Sequence, residues 1–420
     1  MFKPALPSLL FALLLGLLVW RESGEPWLHP AQREFDEWLS ANSNPKAVSA
    51  PLTLVEINDA TLGDNHPWPW APLDFALSLS TLQPLKPAVT AIEPVLTFSK
   101  QLSPDDAQYL QLLHDKILAL PKVVLAEKPG FPSDPDVVPP VESVPMLRSV
   151  QGSIDSIPEY PVIAEKPAED LRLSAAIGLT DPAPAQAVET LPLLYRYHGE
   201  VVPSFALQAI ILWSASTLDE VKVQTGVSIE VGDKLHIPID DAGNVQPNPH
   251  VTFARMGNDD LMLAVNQLQN GQPSAVKAGA WDSQIALLGR TDAAARTITM
   301  ASRNKVSPAE LNATAIATMM SGVYLRTLPL AVEIALFVVI AWFAACLTHW
   351  PRSQGVVWTV SGFLLYLVIA LTVYEATLIT LPFITPLVLF ALALANSLLR
   401  FKRKPRKGRR QRRVRHESYY

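Results

Sequence analysis

The chain has 420 residues, of which 49% are hydrophobic and 17% are charged, and it contains one cysteine. At roughly 100 to 200 residues per domain, this length allows two or three structural units with a large core. The charged fraction lies below the roughly 25% usual for soluble domains, so we expect part of the chain to lie in a membrane. A single cysteine excludes a disulfide framework and a metal site built mainly from thiolates.

The net charge of -5 is distributed unevenly along the chain. Residues 400–420 contain eleven Lys or Arg residues and one acid, Glu417, so this tail carries +10 and residues 1–399 carry -15. The acidic body and the basic tail are therefore predicted to face different environments.

The N-terminus contains an apolar segment, residues 5–20, that follows Lys3. It is short for a membrane span and long for the core of a signal peptide. No small-x-small cleavage site precedes Arg21, so we interpret residues 1–20 as an uncleaved transmembrane signal anchor, with a cleaved signal peptide as the alternative.

Strand-like and helix-like segments alternate in the region that follows. Apolar, β-branched runs at 52–57, 88–92 and 123–126 predict strands, and residues 73–82 and 103–120 predict the helices between them. This order predicts an α/β fold, in which helices flank a mainly parallel sheet joined by right-handed crossovers.

Residues 129–184 are rich in proline and polar residues, which predicts irregular loops over most of this length. From residue 193 onwards regular patterns resume, and we expect residues 21–327 to form one domain. The patterns predict short strands at 193–197, 227–231, 235–239 and 284–288, and helices at 204–213, 259–268 and 308–320.

Three apolar stretches of about 20 residues or more follow this domain, each long enough to cross a bilayer as a helix. They lie at 328–347, 355–374 and 376–399, and they predict a three-helix transmembrane region over residues 328–399. Together with the N-terminal anchor they make four crossings, which would place both termini on the same side of the membrane.

Basic residues near the ends of the spans indicate which side this is. Lys3, Arg352 and the tail share one side, which is therefore predicted to be the cytoplasm. We expect a multi-pass protein of a bacterial inner membrane, with residues 21–327 in the periplasm or the extracellular space.

Four groups of motifs occur in a characteristic order along the predicted domain. In these residues the chain resembles the CHASE sensor domains of the second type, over the whole domain and the three closing membrane helices. The motifs are LVEIND at 54–59 with WPW at 68–70; YR at 195–196 with HG at 198–199 and PS at 203–204; IDDAG at 239–243; and ELNATAI at 310–316 with Gly322 and YL at 324–325.

The resemblance implies an extracytoplasmic sensory module of the kind found in bacterial cyclases and kinases. Members of the family usually continue into a cytoplasmic catalytic domain, whereas only residues 400–420 follow here, which are too few for a fold. We therefore expect the chain to signal through a separate partner protein. Two departures from the family pattern concern the ligand: Ala71 and Pro72 replace the arginine that usually follows WPW, and Glu93 replaces the usual aspartate.

Candidate ligand-binding residues lie after the predicted strands and in the tryptophan-containing loop. Ligands of open parallel sheets bind beyond the carboxyl ends of the strands, where polar side chains can converge. The alternative is that these polar groups cap helices and turns, and that the tryptophans pack the loop onto the sheet. The ligand itself stays unknown. The candidates are Asn58, Asp59, Trp68, Trp70, Glu93, Arg290 and Asp292.

The sequence lacks a recognisable catalytic or metal-binding motif. Its eight histidines include no pair at metal-ligand spacing and no HExxH motif. Ser302 and Lys305 match a signature of some acyl-transfer enzymes, but its companion motifs are missing, so we attribute the match to chance. We predict a protein that is not an enzyme and that uses no cofactor or metal.

The basic tail follows the last predicted span directly. Each basic residue near an anionic inner leaflet contributes about 1 kcal/mol, so the tail is expected to contact membrane lipids. It is interpreted as a topology anchor or, alternatively, as a docking site for an acidic protein partner, while nucleic acid is disfavoured because aromatic residues are not interleaved. The tail residues are Lys402, Arg403, Lys404, Arg406, Lys407, Arg409, Arg410, Arg412, Arg413 and Arg415.

Two functional hypotheses remain open at this point. The first is a membrane-embedded sensor or ligand-binding regulatory subunit that signals through a partner, and by analogy with other membrane sensors it would form a homodimer. The alternative is a structural or assembly component of a bacterial envelope complex, in which the sensor fold serves as a protein-binding surface.

Overall fold

A computed structural model describes residues 29–63, 67–98, 104–132, 140–180, 190–299, 305–347 and 351–399. The predicted signal anchor at 1–20 and the basic tail at 400–420 lie outside these residues. The described chain divides into two compact units. The sheet unit contains residues 36–327 and 373–380, and the helical unit contains the described residues of 29–35, 328–372 and 381–399.

Eleven α-helices occur in the described residues. They are α1 (His29–Asn42), α2 (Asp59–Leu62), α3 (Pro72–Leu82), α4 (Pro104–Leu118), α5 (Glu169–Leu173), α6 (Phe205–Trp213), α7 (Asn258–Gln269), α8 (Pro308–Ser321), α9 (Leu330–Leu347), α10 (Arg352–Thr377) and α11 (Ile384–Leu399).

The strands of the described residues are numbered in chain order. They are β1 (Val48–Ile57), β2 (Val89–Ile92), β3 (Val123–Gly130), β4 (Ser149–Gln151), β5 (Val162–Glu165), β6 (Ala176–Leu179), β7 (Leu191–Pro192), β8 (Leu194–Tyr197), β9 (Glu200–Pro203), β10 (Val221–Gln224), β11 (Ser228–Val231), β12 (Leu235–Pro238), β13 (Asn244–Val245), β14 (Val251–Gly257), β15 (Ile285–Arg290), β16 (Ile298–Thr299), β17 (Lys305–Val306), β18 (Arg326–Thr327) and β19 (Ile379–Thr380).

The sheet unit is built on a seven-stranded sheet in the order β14-β1-β15-β2-β3-β5, with β6 also paired to β3. Every pair is parallel except β3 with β5. The predicted α/β class with a mainly parallel sheet is therefore confirmed. Strand β15, from late in the chain, lies between β1 and β2, so these two strands are not direct neighbours.

Helices cover both faces of this sheet, as parallel sheets require. Alternate residues of β1 show the two faces: Leu52 and Leu54 pack in the core that includes α6 and α8. Val55 and Ile57 pack in the other core, with α3, α4 and α7. The strands are consequently apolar on both sides, which is the continuous hydrophobic pattern seen in their sequences.

The proline-rich region contains more regular structure than predicted. It includes β4, β5, α5 and β6, whereas irregular loops were expected over most of 129–184. Because β6 pairs in parallel with β3, from Val124 with Ala176 to Glu127 with Leu179, its backbone groups are satisfied inside the main sheet.

The helical unit differs from the predicted spans in the lengths of its apolar helices and in where the last helix begins. One helix of the described residues, over Ser353–Thr377, is long and apolar enough to cross a membrane. The apolar parts of α9 and α11, Ala331–Cys346 and Ile384–Ala395, are shorter. The last helix begins at Ile384 rather than near 376, because β19 pairs with β18 and keeps this part of the chain extended.

Candidate functional site

A cleft of about 300 Å³ opens in the sheet unit at the carboxyl ends of several central strands. Its walls come from the segment after β2, from the ends of β3 and β15, and from the loop before α3. This is the edge at which ligands of open parallel sheets bind. The lining includes Trp68, Trp70, Phe75, Glu93, Phe98, Lys128, Glu165, Arg290 and Arg296.

Aromatic rings form one wall of the cleft. The Trp70 ring lies edge-on to Phe75 at a centroid distance of 5.2 Å, and Trp68 lies 6.4 Å from Trp70. Trp70 is only 5% exposed, and its indole nitrogen is buried without a hydrogen-bond partner among the described residues. The tryptophans thus pack against α3 and also line the cleft. A packing role and a ligand-binding role of the WPW loop are therefore compatible.

Arg290, at the end of β15, is held in place by two neighbours. Its guanidinium donates to both carboxylate oxygens of Asp292, at 2.6 and 2.8 Å, and lies 4.5 Å from the centre of the Trp68 ring. The Asp292 side chain is 1% exposed, and the hydrogen bonds from Arg290 hold its pKa below the usual range despite burial. Asp292 therefore acts behind the cleft wall, as the group that orients Arg290.

Glu93 follows β2 and faces the cleft from the segment after that strand. Its side chain is half-buried, and no hydrogen bond or ion pair with the rest of the described chain reaches its carboxylate. Burial raises the pKa of Glu93 to about 7, although the positive charges of Lys128 and Arg290 oppose this shift. The carboxyl is therefore poised to gain or lose a proton near neutral pH.

Asn58 and Asp59 have structural contacts outside the cleft lining. The side-chain oxygen of Asn58 accepts a hydrogen bond from the Thr61 backbone at 3.0 Å and caps α2. The Asp59 carboxylate accepts one from the Ala293 backbone at 3.1 Å, which ties the loop after β1 to the loop after β15. The structure thus brings Trp68, Trp70, Glu93 and Arg290 together and leaves this pair aside.

Sequence reasoning missed three charged residues of the lining, Lys128, Glu165 and Arg296. Lys128 lies near the carboxyl end of β3, so the rule that identified Glu93 could also have identified it. Glu165 lies on β5, in the region that was predicted to be irregular, and its Oε1 atom is 2.7 Å from the Nζ atom of Lys128. The sequence of β5, which is antiparallel to its neighbour β3, contains no pattern that distinguishes this strand from a loop.

A buried ionic cluster supports the wall next to Lys128. The Arg172 guanidinium donates to the fully buried carboxylate of Glu127 and to the Ser143 carbonyl at 2.5 Å. Glu142 accepts from Arg172 at 3.3 Å and from Lys166 at 2.6 Å. Burial raises the pKa of Glu127, and Arg172 opposes that shift. The cluster fastens the proline-rich region to β3.

A second polar cluster lies at the amino end of β14, within the sheet unit. The His250 ring forms hydrogen bonds with Tyr374, at 3.1 Å, and with Ser40, at 3.3 Å. Burial lowers the pKa of His250, so its ring is neutral at pH 7. Tyr374 belongs to the last turn of α10, and we call this group the His250 joint.

The fold and the cleft define a class of protein: an α/β module with a ligand-sized cleft, in a chain that also carries a membrane-length apolar helix. The sequence model of the CHASE2 domain family matches residues 10–348. The chain belongs to this family, so the predicted resemblance is confirmed, and it carries an extracytoplasmic sensory domain. Neither the curated proteins nor the solved structures include a match to this chain.

Proposed function

We propose that this chain is a membrane-anchored sensor that binds a small molecule in the cleft and passes the signal to a separate protein. One observation carries the proposal: the Glu93 carboxylate, which has no hydrogen-bond or ion-pair partner among the described residues, faces a cleft beside aromatic rings in a domain of a sensory family. Such a combination of an apolar wall with a few placed polar groups is typical of small-molecule sites.

The proposed topology has an N-terminal anchor at 1–20, an exported domain at 21–327, three membrane helices at 328–399 and a cytoplasmic tail at 400–420. At 1.5 Å per residue, the 18 residues of α9 and the 16 residues of α11 extend about 27 and 24 Å, close to the roughly 30 Å of a bilayer core. These lengths support membrane association of the whole helical region.

The architecture suggests a route by which cleft occupancy changes the end of the membrane helix. Glu93 and Arg290 lie at the carboxyl ends of β2 and β15, while the His250 joint lies at the amino end of β14, on the opposite edge of the same sheet. Strands β2, β15, β1 and β14 are hydrogen-bonded neighbours. We infer that a shift of these strands would reach Tyr374 through His250.

Ligand binding can be tested with the full chain in detergent micelles. We expect a dialysable fraction of bacterial envelope extract to raise the melting temperature of the wild type by several degrees, because a ligand that binds only the folded state stabilises it. Trp68→Leu should lose this shift, whereas Trp38→Leu, which changes an exposed tryptophan of α1, should keep it. Equal stabilisation of both variants, or none of the wild type, would contradict the cleft as ligand site.

The partner is tested separately by a crosslinked pull-down from native membranes, with the full chain compared with a chain truncated after Leu399. Recovery of a kinase, a cyclase or a transcription-control protein, lost on truncation, supports signalling through a partner and through the tail. Recovery of envelope structural proteins alone, unaffected by truncation, supports the alternative role as an assembly component.

A further inference from the structure

The charged groups that line the cleft differ in how they are paired. Lys128 is bound to Glu165, and Arg290 is bound by both oxygens of Asp292. The Glu93 carboxylate has neither a hydrogen bond nor an ion pair to the described residues, although the side chain is half-buried. Because the described residues supply no donor to this half-buried carboxylate, a ligand that supplies one would add a charge-assisted hydrogen bond.

The wall beside this carboxylate is suited to a positive charge. Aromatic faces attract cations within about 6 Å of the ring centre, and the Arg290 guanidinium already occupies such a position over Trp68. Trp70, Phe75 and Phe98 extend the aromatic surface, with the Phe75 and Phe98 centroids 6.3 Å apart. A volume of about 300 Å³ is at the small end of ligand pockets.

We propose that the cleft recognises a small organic amine, whose ammonium group pairs with the Glu93 carboxylate and whose apolar body lies against the aromatic wall. This inference rests on the proposed sensor function and names the chemical class of its ligand. An ammonium group offers up to three donors and the opposite charge, which match a carboxylate that receives no donor from the part of the chain the structure describes.

An anionic ligand fits the cleft less well. It would compete with Asp292 for Arg290 and with Glu165 for Lys128, and it would lie close to the Glu93 carboxylate. Separating Arg290 from Asp292 would leave the buried Asp292 carboxylate, which is 1% exposed, without its partner. A cation leaves both pairs intact and, unlike a neutral ligand, also neutralises the Glu93 carboxylate.

The protonation of Glu93 gives this recognition a pH signature. Lys128 from β3, Arg290 from β15, Glu165 from β5 and Arg296 also line the cleft, and the first two favour the ionised form of Glu93. With a pKa of about 7, roughly a tenth of the carboxyls are ionised at pH 6 and roughly nine tenths at pH 8. Amine binding should therefore release a proton and strengthen about tenfold between these pH values.

Calorimetric titration of the full chain in lipid nanodiscs tests the inference. The probes are primary amines of up to about 12 non-hydrogen atoms, each paired with the alcohol of the same skeleton. We expect at least one amine to bind at least about tenfold more tightly than its alcohol, and to bind about tenfold more tightly at pH 8 than at pH 6. Glu93→Gln should abolish both differences, and Glu230→Gln, which removes an exposed charge on β11, should preserve them.

The outcomes distinguish the proposal of an amine ligand from the proposal of a sensor function. The proposal of an amine ligand is overturned by any of three results: equal binding of amine and alcohol, tighter amine binding at pH 6 than at pH 8, or an unchanged preference for the amine in Glu93→Gln. A different result would overturn the amine ligand and leave the sensor function standing: no amine binds, but the envelope fraction still stabilises the wild type and fails to stabilise Trp68→Leu. If neither the amines nor the fraction binds, both are overturned.

Discussion

Glu93 makes the stability of the protein depend on pH in a way that can be measured. Its pKa is about 7 in the folded chain because burial disfavours the charged form, compared with 4.5 for an unperturbed side chain. The folded state therefore holds this proton more tightly than the unfolded state, and the free energy of unfolding falls as the pH rises from about 4.5 to about 7.

Glu93→Gln removes this dependence, because glutamine keeps the size of the side chain and carries no charge. We expect the variant to melt a few degrees higher than the wild type at pH 8 and at nearly the same temperature at pH 4.5. Thermal unfolding in the same detergent measures the difference, and Glu230→Gln controls for the change in net charge. An equal shift at both pH values would show that the Glu93 carboxyl is not destabilised by burial.

At the scale of single residues, position after a strand was the informative signal. It pointed to Glu93 and Arg290, which line one cleft because the ends of parallel strands share an edge. It could not separate them from Asn58 and Asp59, which also follow a strand. Whether such a side chain faces the cleft or caps a helix depends on the local backbone path, which the residue type does not specify.

Among the elements, the contact of α5 with β3 depends on a buried ion pair. The side chains of Arg172 and Glu127 are 7% and 0% exposed. Arg172→Met would leave Glu127 buried without its partner, so we expect the free energy of unfolding to fall by about 3–5 kcal/mol. Adding Glu127→Gln should restore part of this loss. Chemical unfolding of the full chain measures both variants, and a double variant as unstable as the single one would rule out the charge as the cause.

The His250 joint connects β14 to the last turn of α10. Tyr374→Phe removes the 3.1 Å hydrogen bond to His250, which is worth about 1 kcal/mol. We expect faster amide exchange in the neighbouring strands β18 and β19, measured by hydrogen–deuterium exchange with mass spectrometry. Tyr109→Phe, on α4, is the matched control and should leave that exchange unchanged. If both variants behave alike, the hydroxyl of Tyr374 does not hold the joint.

Elements were predictable where they are local and less so where they depend on distant partners. The strands and helices from 52 to 126 were predicted in the correct order, because each has its own periodicity. The insertion of β15 between β1 and β2 joins residues more than 190 positions apart, which no local pattern encodes. The same applies to β19, whose pairing with β18 shortens the last helix.

For the whole molecule, the proposed topology places the sheet unit and the tail on opposite sides of the membrane. In a Cys346→Ala background, Glu230→Cys would report the sheet unit and Arg412→Cys the tail. A membrane-impermeant maleimide should label the first in intact spheroplasts and the second only after lysis. Labelling of both without lysis would contradict the topology and, with it, the cytoplasmic position of the tail.

The central claim is that the cleft senses a small molecule and that the change reaches the membrane helix. Hydrogen–deuterium exchange of the full chain in nanodiscs, with and without the dialysable envelope fraction, tests it most directly. The account predicts slower exchange in the cleft segments 67–70 and 93–98, together with altered exchange in residues 373–380. Unchanged exchange in the cleft segments while the fraction still stabilises the chain would contradict it.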